Sequence, residues 1–454
     1  MATPAFNPMT VSTSAAATHT LDTAILLPTL SIEDNLSCRP ACIDHIGPLT
    51  PVGGLPLFLR TVLTLQRAGI ANIVVLSGAE EESLKRLLSQ DARVVAVVRW
   101  MALHEFPLDD PRTWEVLEQD IQGACLVIGM RTVFSRGLIE QFRQHVDAHA
   151  GQRVVVAACA ADKPAAESAE IMALPAGLLS GAGWRAMSAQ HRMPFHLIRV
   201  QAAAEGRLQS IPVSMESFQW CQTLCLSASV KEAEQRLLHA PKGPYEGLID
   251  TYFNRKVANG LTRLFVKGGW SPNAITSLSI LIGLLAAVLF AQGAYLAAVA
   301  GALLFQVSAI VDCCDGDVAR LTFRESRFGE RLDLIGDNVV HMAIFGALGW
   351  AGYTHGGGRG FLALGLLAII GNGLSLWFVT QVKARDARQG GTCPVRAARS
   401  EFIVKHMASR DFSIVVLFFA LVNLLDVFLW LAAIGSNVFW MMTAWITRSP
   451  SLRA

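Results

Sequence analysis

Charge is scarce in this chain. Asp, Glu, Lys and Arg make up 16% of its 454 residues while 52% are hydrophobic, a balance too apolar for a wholly soluble protein. The formal net charge is only +2. No basic run interleaved with aromatics occurs, which argues against nucleic acid as a partner. The nine cysteines are odd in number and scattered. Cys313 and Cys314 are adjacent, and the C-x3-C pairs Cys38/Cys42 and Cys221/Cys225 have no histidine companions, so they read as reduced thiols rather than a disulfide framework or a zinc site. The first twenty residues, rich in Ala, Thr and Ser, have neither a basic start nor an apolar core. They read as a disordered tail rather than an export signal.

The apolar excess is concentrated in the second half. Residues up to about 240 carry ordinary charge and short apolar runs, whereas beyond about 270 the runs approach 18 residues or more, enough to cross a hydrocarbon core of about 30 Å. A soluble domain is therefore expected ahead of a membrane domain. In the first half, short apolar strand candidates (Ala24–Leu27, Asn72–Leu76, Arg93–Val98, Ala124–Ile128, Arg153–Ala157) alternate with helical patterns over Leu55–Ala68, Glu80–Leu88, Pro111–Ile121 and Ser135–Val146. This alternation predicts an α/β fold with a mostly parallel sheet. Ligands on such sheets sit at the carboxyl ends of strands, so the loop after the first strand is the expected nucleotide position.

In the second half, spanning helices are expected near Ala274–Ala291, Tyr295–Ala319, Arg331–Tyr353, Phe361–Lys383, Phe412–Leu425 and Val427–Trp445. Gly293 and the stretch from Thr354 to Gly360 make short turns almost free of charge. The alternate loops hold Arg324, Arg327, Lys383, Arg385, Arg388, Arg396, Arg399, Lys405 and Arg410, which the positive-inside rule places in the cytoplasm together with both chain ends. Before the first crossing, Val257, Leu261, Leu264 and Phe265 alternate with Arg255, Lys256, Arg263 and Lys267, the pattern of a helix lying in the membrane interface.

Among these apolar helices stands a cluster of acids. From Asp312 to Asp337 the chain reads DCCDGDVARLTFRESRFGERLDLIGD, a spacing D-x2-D-G-x2-A-R-x8-G-x3-D-x3-D. A single ionised aspartate near the membrane midplane costs roughly 3 kcal/mol on insertion scales, so several together call for a cation or a water-filled cavity. Asp312 and Asp315 share one face of a helix, as do Asp333 and Asp337. If the intervening loop folds the helices antiparallel, the four carboxylates converge in a geometry suited to one or two hard divalent cations. Gly316, Ala319 and Gly329 permit close approach of a ligand, and Arg320 can grip a phosphate bidentately.

That signature resembles the CDP-alcohol phosphotransferase family at every fixed position, and the SPNAIT segment from Ser271 to Thr276 resembles the family's nucleotide-contacting stretch. The resemblance implies an integral-membrane transferase that moves a substituted phosphate from a CDP-linked donor to an alcohol acceptor, releasing CMP. It implies two divalent ions, Mg2+ or Mn2+, on Asp312, Asp315, Asp333 and Asp337, with Asp337 also the base that deprotonates the acceptor. It also implies CDP contacts from Gly316, Ala319, Arg320, Ser326 and Gly329, with Asn273 and Thr276 as further candidates, in a homodimer embedded in membrane lipid. Lys383 and Arg385 are candidates for a phosphorylated acceptor, and are equally well read as positive-inside anchors. The expected setting is a bacterial cytoplasmic membrane with the site facing inward.

The stretch from Pro48 to Leu76, PLTPVGGLPLFLRTVLTLQRAGIANIVVL, resembles sugar-phosphate and inositol-phosphate nucleotidyltransferases. Their phosphate loop is replaced here by Pro28, Thr29, Leu30, Ser31, Ile32 and Glu33, their lysine by Gly47 and a metal aspartate by Met130, and the segment around Trp220 lacks a second one. These departures imply an inactive domain; the alternative is an active cytidylyltransferase, as in fused enzymes that make CDP-inositol and then use it. The expected layout is a tail (1–21), a nucleotidyltransferase-like domain (22–240), a linker with an interfacial helix (241–272), a CDP-alcohol phosphotransferase membrane domain (273–447) and a second tail (448–454). A rival from another class is a non-catalytic membrane protein whose acids only bind metal or lipid headgroups.

Overall fold

A computed structural model describes residues 21–28, 46–107, 110–121, 123–148, 154–159, 171–174, 202–213, 219–224, 227–239, 255–388 and 412–448. The chain divides into two compact units, Met1–Arg236 and Leu237–Ala454.

In chain order the first unit holds β1 (Thr23–Leu27), β2 (Pro51–Val52), β3 (Leu55–Pro56), α1 (Leu57–Arg67), β4 (Asn72–Ser77), α2 (Glu81–Ser89), β5 (Val97–Ala102) and α3 (Pro111–Asp120). There follow β6 (Cys125–Gly129), β7 (Thr132–Phe134), α4 (Arg136–Ala148), β8 (Val154–Cys159), β9 (Ile171–Leu174), β10 (Leu208–Val213), β11 (Cys221–Thr223) and α5 (Ser227–His239), the last reaching past the unit's boundary. Seven strands form one sheet in the order β10-β8-β9-β6-β1-β4-β5. Strands β1, β4, β5 and β6 pair in parallel, as do β8 and β10, while β9 runs antiparallel to β6 and β8. The expected α/β architecture with a mostly parallel sheet is therefore present.

Strands β1 and β6 bury all five of their residues, as expected of central strands covered on both faces. Ile25, Leu27, Val74, Leu76 and Val127 pack around the fully buried Trp114. The tight β2–β3 hairpin carries Gly53 and Gly54 at positive φ. The buried Arg60 guanidinium clamps it, donating to the carbonyls of Val52 and Gly53 at 3.0 Å each. Burial lowers the pKa of Arg60 to about 10. Cys125, Cys221, Cys313 and Cys314 are in no disulfide, and burial raises the Cys125 thiol to about 12, which leaves it inert.

One strand is displaced from its expected position. The expected span is Arg93–Val98, yet the ladder begins at Val97. The Gln66 carboxamide, on α1, takes the N–H groups of Val95 and Ala96 and donates to the carbonyl of Arg93. Asp91 binds the backbone and guanidinium of Arg93, so this stretch is satisfied as a turn before the sheet can claim it. Strand β9 has no sequence signal: four consecutive apolar residues do not separate strand from helix.

The second unit begins with α6 (Arg255–Lys267), followed by α7 (Pro272–Ala291), α8 (Tyr295–Leu321), α9 (Arg327–Gly352), a distorted turn at Tyr353–Gly357, α10 (Arg359–Arg388), α11 (Phe412–Leu421) and α12 (Leu425–Arg448). Five of these helices are long and apolar enough to cross a membrane. Within the described residues α11 has ten residues, about 15 Å of helix. It ends at Asn423, whose φ of 57° closes the helix and turns the chain into α12. Ser271 caps α7 with Pro272 at its first turn. The face of α6 is divided: Ala258, Leu261 and Phe265 pack with Ile310, Val311 and Cys314, whereas Val257 and Leu264 stay exposed beside Arg263. That outer strip suits the interface role expected of this helix.

Helices α9 and α10 meet backbone to backbone. A Cβ on Gly365 would stand 2.9 Å from the Phe345 carbonyl oxygen and 3.2 Å from the Gly349 Cα, the small-residue contact that lets membrane helices approach closely. Deeper in the unit, His341 stacks edge-on between Phe305 and Phe412, with Phe345 and Phe428 around them. Gly365→Ala is expected to destabilise this packing by about 1–3 kcal/mol, seen as a lower thermal midpoint in detergent. Gly360→Ala, whose Cβ meets nothing within 4 Å, is expected to leave the midpoint unchanged.

Candidate metal centre

The site is built on the end of α8 and the start of α9. Helix α8 stops in a Schellman closure in which the Arg324 N–H reaches the Ala319 carbonyl at 2.9 Å and the Phe323 N–H reaches that of Arg320 at 3.3 Å. Phe323 therefore holds a left-handed φ of 56°, a conformation costing a non-glycine residue about 1 kcal/mol or more. Three residues later Ser326 caps α9, its Oγ accepting the Gly329 N–H at 3.0 Å. This short joint leads from one acid-bearing helix into the other, and both pack against α7.

Asp312, Asp315 and Asp333 each present an oxygen within 4.8 Å of the others. Asp312 and Asp315 are buried and Asp333 is half-buried. At that spacing, each pair of ionised carboxylates repels by about 3 kcal/mol at an effective dielectric near 20. The Oδ1 atoms of Asp312 and Asp333 are buried. Three convergent carboxylates, with no sulfur or imidazole among them, fit a hard divalent cation. The hydroxyl of Thr276, on α7, donates to Oδ2 of Asp315, the kind of outer contact that orients a metal ligand. Asp337 lies one turn beyond Asp333, is exposed, and is not part of the three-carboxylate cluster.

The remaining sequence candidates fall into two groups. Gly329 is packed so tightly that a Cβ would stand 3.0 Å from Asn273 Oδ1 and 3.1 Å from Ser326 Oγ. The missing side chain thus draws together the first turns of α7 and α9, and with them Asn273 and Ser326. Gly316 lies beneath Arg320, its Cβ direction ending 3.5 Å from Nη1. Ala319 is half-buried on the same last turn. Lys383 and Arg385 belong to the final turns of α10, and their side chains lie outside the described residues.

The sequence reasoning missed Asp317. It is 3% exposed, and its Oδ1 accepts from Arg320 Nη2 at 2.5 Å. Its i, i+3 spacing to an arginine within DGDVAR was the available signal. It also missed the carboxamide pair Asn338 and Asn372, which joins α9 to α10 at 3.2 Å one residue beyond Asp337.

In the first unit, Met130 occupies the carboxyl end of β6. It is buried, and its N–H donates to the Leu27 carbonyl at 2.7 Å, beside the end of β1. Gly47 sits in a turn closed by Thr50, and the carboxylate of Glu80 lies 3.6 Å from where its Cβ would be. Trp220 is buried, its backbone N–H bound to Ser135. Residues Thr29 to Glu33 of the expected phosphate loop lie outside the described residues.

Residues 270–447 match the family model described as CDP-alcohol phosphatidyltransferase. The "Bifunctional IPC transferase and DIPP synthase" of Aquifex aeolicus is 34% identical over 120 residues, 26% of this chain and 27% of that protein. The chain therefore spans only about a quarter of that relative. Among solved structures, a phosphatidylinositol phosphate synthase of Mycobacterium tuberculosis with CDP-DAG bound is 25% identical, covering 43% of this chain and 96% of that one at a TM-score of 0.32. The same synthase is also known in complex with manganese and citrate. A chain described as a glucose-1-phosphate thymidylyltransferase of Bacillus anthracis is 13% identical, covering 47% of this chain and 94% of that one at a TM-score of 0.34. The second unit thus carries a CDP-alcohol phosphatidyltransferase domain in a multi-pass membrane protein.

Titration of the purified full chain with Mn2+, followed by electron paramagnetic resonance, is expected to show saturable binding that Asp312→Asn abolishes. Thr276→Val is expected to weaken it by roughly tenfold.

Proposed function

We propose that the second unit transfers a substituted phosphate from a CDP-linked donor to the hydroxyl of an alcohol and releases CMP. The observation that carries this reading is the convergence of Asp312, Asp315 and Asp333, with Thr276 behind them, inside the segment that matches the family model. In the reaction the acceptor oxygen attacks the donor phosphorus, the bond from that phosphorus to the CMP oxygen breaks, and the acceptor proton passes to a carboxylate.

Divalent ions held by the clustered aspartates would neutralise the diphosphate and stabilise the leaving CMP. Three carboxylates suit one ion, and Asp337, one turn on, is the remaining acid for a second. Asp337 is also the base: its exposure leaves it accessible to an incoming hydroxyl. Asn273, Ser326 and Gly329 form one wall for the CDP part, and Gly316, Ala319 and Arg320 form the other. The absent side chain at Gly329 lets Asn273 and Ser326 draw together, and that at Gly316 lets the Arg320 guanidinium lie over the helix. Lys383 and Arg385 are assigned to an acceptor that itself carries phosphate.

The distribution of charge supports an orientation with this site in the cytoplasm of a bacterial cell, since Arg324, Arg327 and Arg331 surround the α8–α9 joint. The protein is assigned as a homodimer in that membrane. The nucleotidyltransferase-like first unit is assigned no catalytic role. At the two positions where cation and metal would be sought stand a glycine facing the Glu80 carboxylate and a buried thioether, and neither neutralises phosphate. A second reading, in which this unit makes the CDP-linked donor, is favoured by the bifunctional name of the Aquifex relative.

Full chain in lipid nanodiscs with Mg2+ and CDP-diacylglycerol is expected to release CMP when offered the correct member of a panel of alcohols and alcohol phosphates. Asp337→Asn is expected to lower the rate at least a thousandfold, within the range general-base catalysis supplies together with charge; full activity would refute its role. With CTP and sugar or inositol phosphates, the same protein is expected to yield no pyrophosphate, and release of pyrophosphate would establish the second reading.

A further inference from the structure

The pair formed by Asp317 and Arg320 stands apart from the carboxylate cluster. Asp317 is two residues from Asp315, so the two point to different sides of α8, and Asp317 is not among the three acids whose oxygens converge. The pair is also asymmetric: side-chain exposure is 49% for Arg320 and 3% for Asp317. An exposed ion pair contributes little. Here one partner is a buried carboxylate, and if the guanidinium swung out to solvent that carboxylate would lose a charge-assisted hydrogen bond. The arginine is therefore anchored from its buried side.

Gly316 completes the arrangement. Its Cβ direction ends 3.5 Å from Nη1 and 3.6 Å from Nη2 of Arg320, so the guanidinium lies over the helix at ordinary contact distance from this position. A guanidinium has five N–H donors in a rigid fork, and the bond to Asp317 uses one of them. A fork held in this way can meet phosphate oxygens without first losing the rotational freedom of a long side chain.

Resting on the proposed reaction, we infer that Asp317 is a positioning residue for Arg320: it aims the guanidinium at the diphosphate of the CDP-linked donor and itself touches neither donor nor metal. Its effect belongs to donor binding rather than to metal binding or turnover.

The test uses purified full chain with Mn2+, CDP binding by calorimetry, and CMP release from CDP-diacylglycerol. Asp317→Asn is expected to raise the CDP Kd and the donor KM by roughly tenfold, the size of one lost charge-assisted hydrogen bond. It is expected to leave Mn2+ affinity unchanged and kcat at saturating donor within about twofold. Asp317→Glu, which keeps the charge but shifts it by one methylene, is expected to fall between wild type and Asp317→Asn. Adding Asp317→Asn to Arg320→Ala is expected to have no further effect on CDP affinity, because the two act as one unit. Additive losses, a changed Mn2+ affinity, or an unaltered CDP Kd in both Asp317 variants would overturn the inference. A wild-type chain that binds CDP yet releases no CMP would count against the proposed reaction while the CDP measurements still decide the role of Asp317. A wild-type chain that binds no CDP overturns both.

Discussion

Mutual repulsion among three carboxylates is the constraint around which the second unit is arranged. Asp312, Asp315 and Asp333 approach within 4.8 Å in a region of apolar helices, an arrangement whose cost a bound cation would offset. The joint between α8 and α9 makes the approach possible, and the Ser326 cap with the bare Gly329 lets the first turn of α7 close against it. Thr276 on α7 then fixes the orientation of Asp315. Three helices therefore contribute to a centre whose carboxylates come from two. The packing farther out, with Gly349 against Gly365 and Asn338 against Asn372, holds α10 to the same frame.

The sequence was most informative where chemistry imposes spacing. Aspartates three and four apart pointed to converging helix faces, of which Asp312, Asp315 and Asp333 come together while Asp337 stays outside the cluster, and the apolar runs marked the helices to within a few residues. The signal failed where a side chain settles a local choice. Gln66 pulls residues 93–96 out of the strand their composition suggested, through hydrogen bonds that span about thirty positions. Asp317 was passed over because it lies between two residues of a known pattern, and its burial, not its identity, gives it importance. His341 reads in sequence as one polar residue on a spanning helix, and only the fold sets its ring against Phe305 and Phe412.

The two units use their polar groups differently. In the second, acids are gathered where they repel. In the first, polar side chains such as Arg60, Gln66 and Glu234 bind backbone groups and stabilise turns and a hairpin. The carboxyl ends of β1 and β6, where a sheet of this kind holds its ligand, are joined by a backbone hydrogen bond from Met130. The core of this unit depends on Trp114 and the buried strands rather than on loop residues.

The joint at Phe323 gives the signature's longest interval a meaning. The eight residues between Arg320 and Gly329 comprise the last residue of α8, its cap, the left-handed Phe323, two linking residues, the Ser326 cap and the opening of α9. Each residue added to a helix rotates the rest of that helix by about 100°. An insertion absorbed into either helix would rotate Asp333 away from Asp312 and Asp315 while leaving every chemical group intact. The interval is thus a measure of angular phase, and changes in its length are less tolerable than changes in its composition.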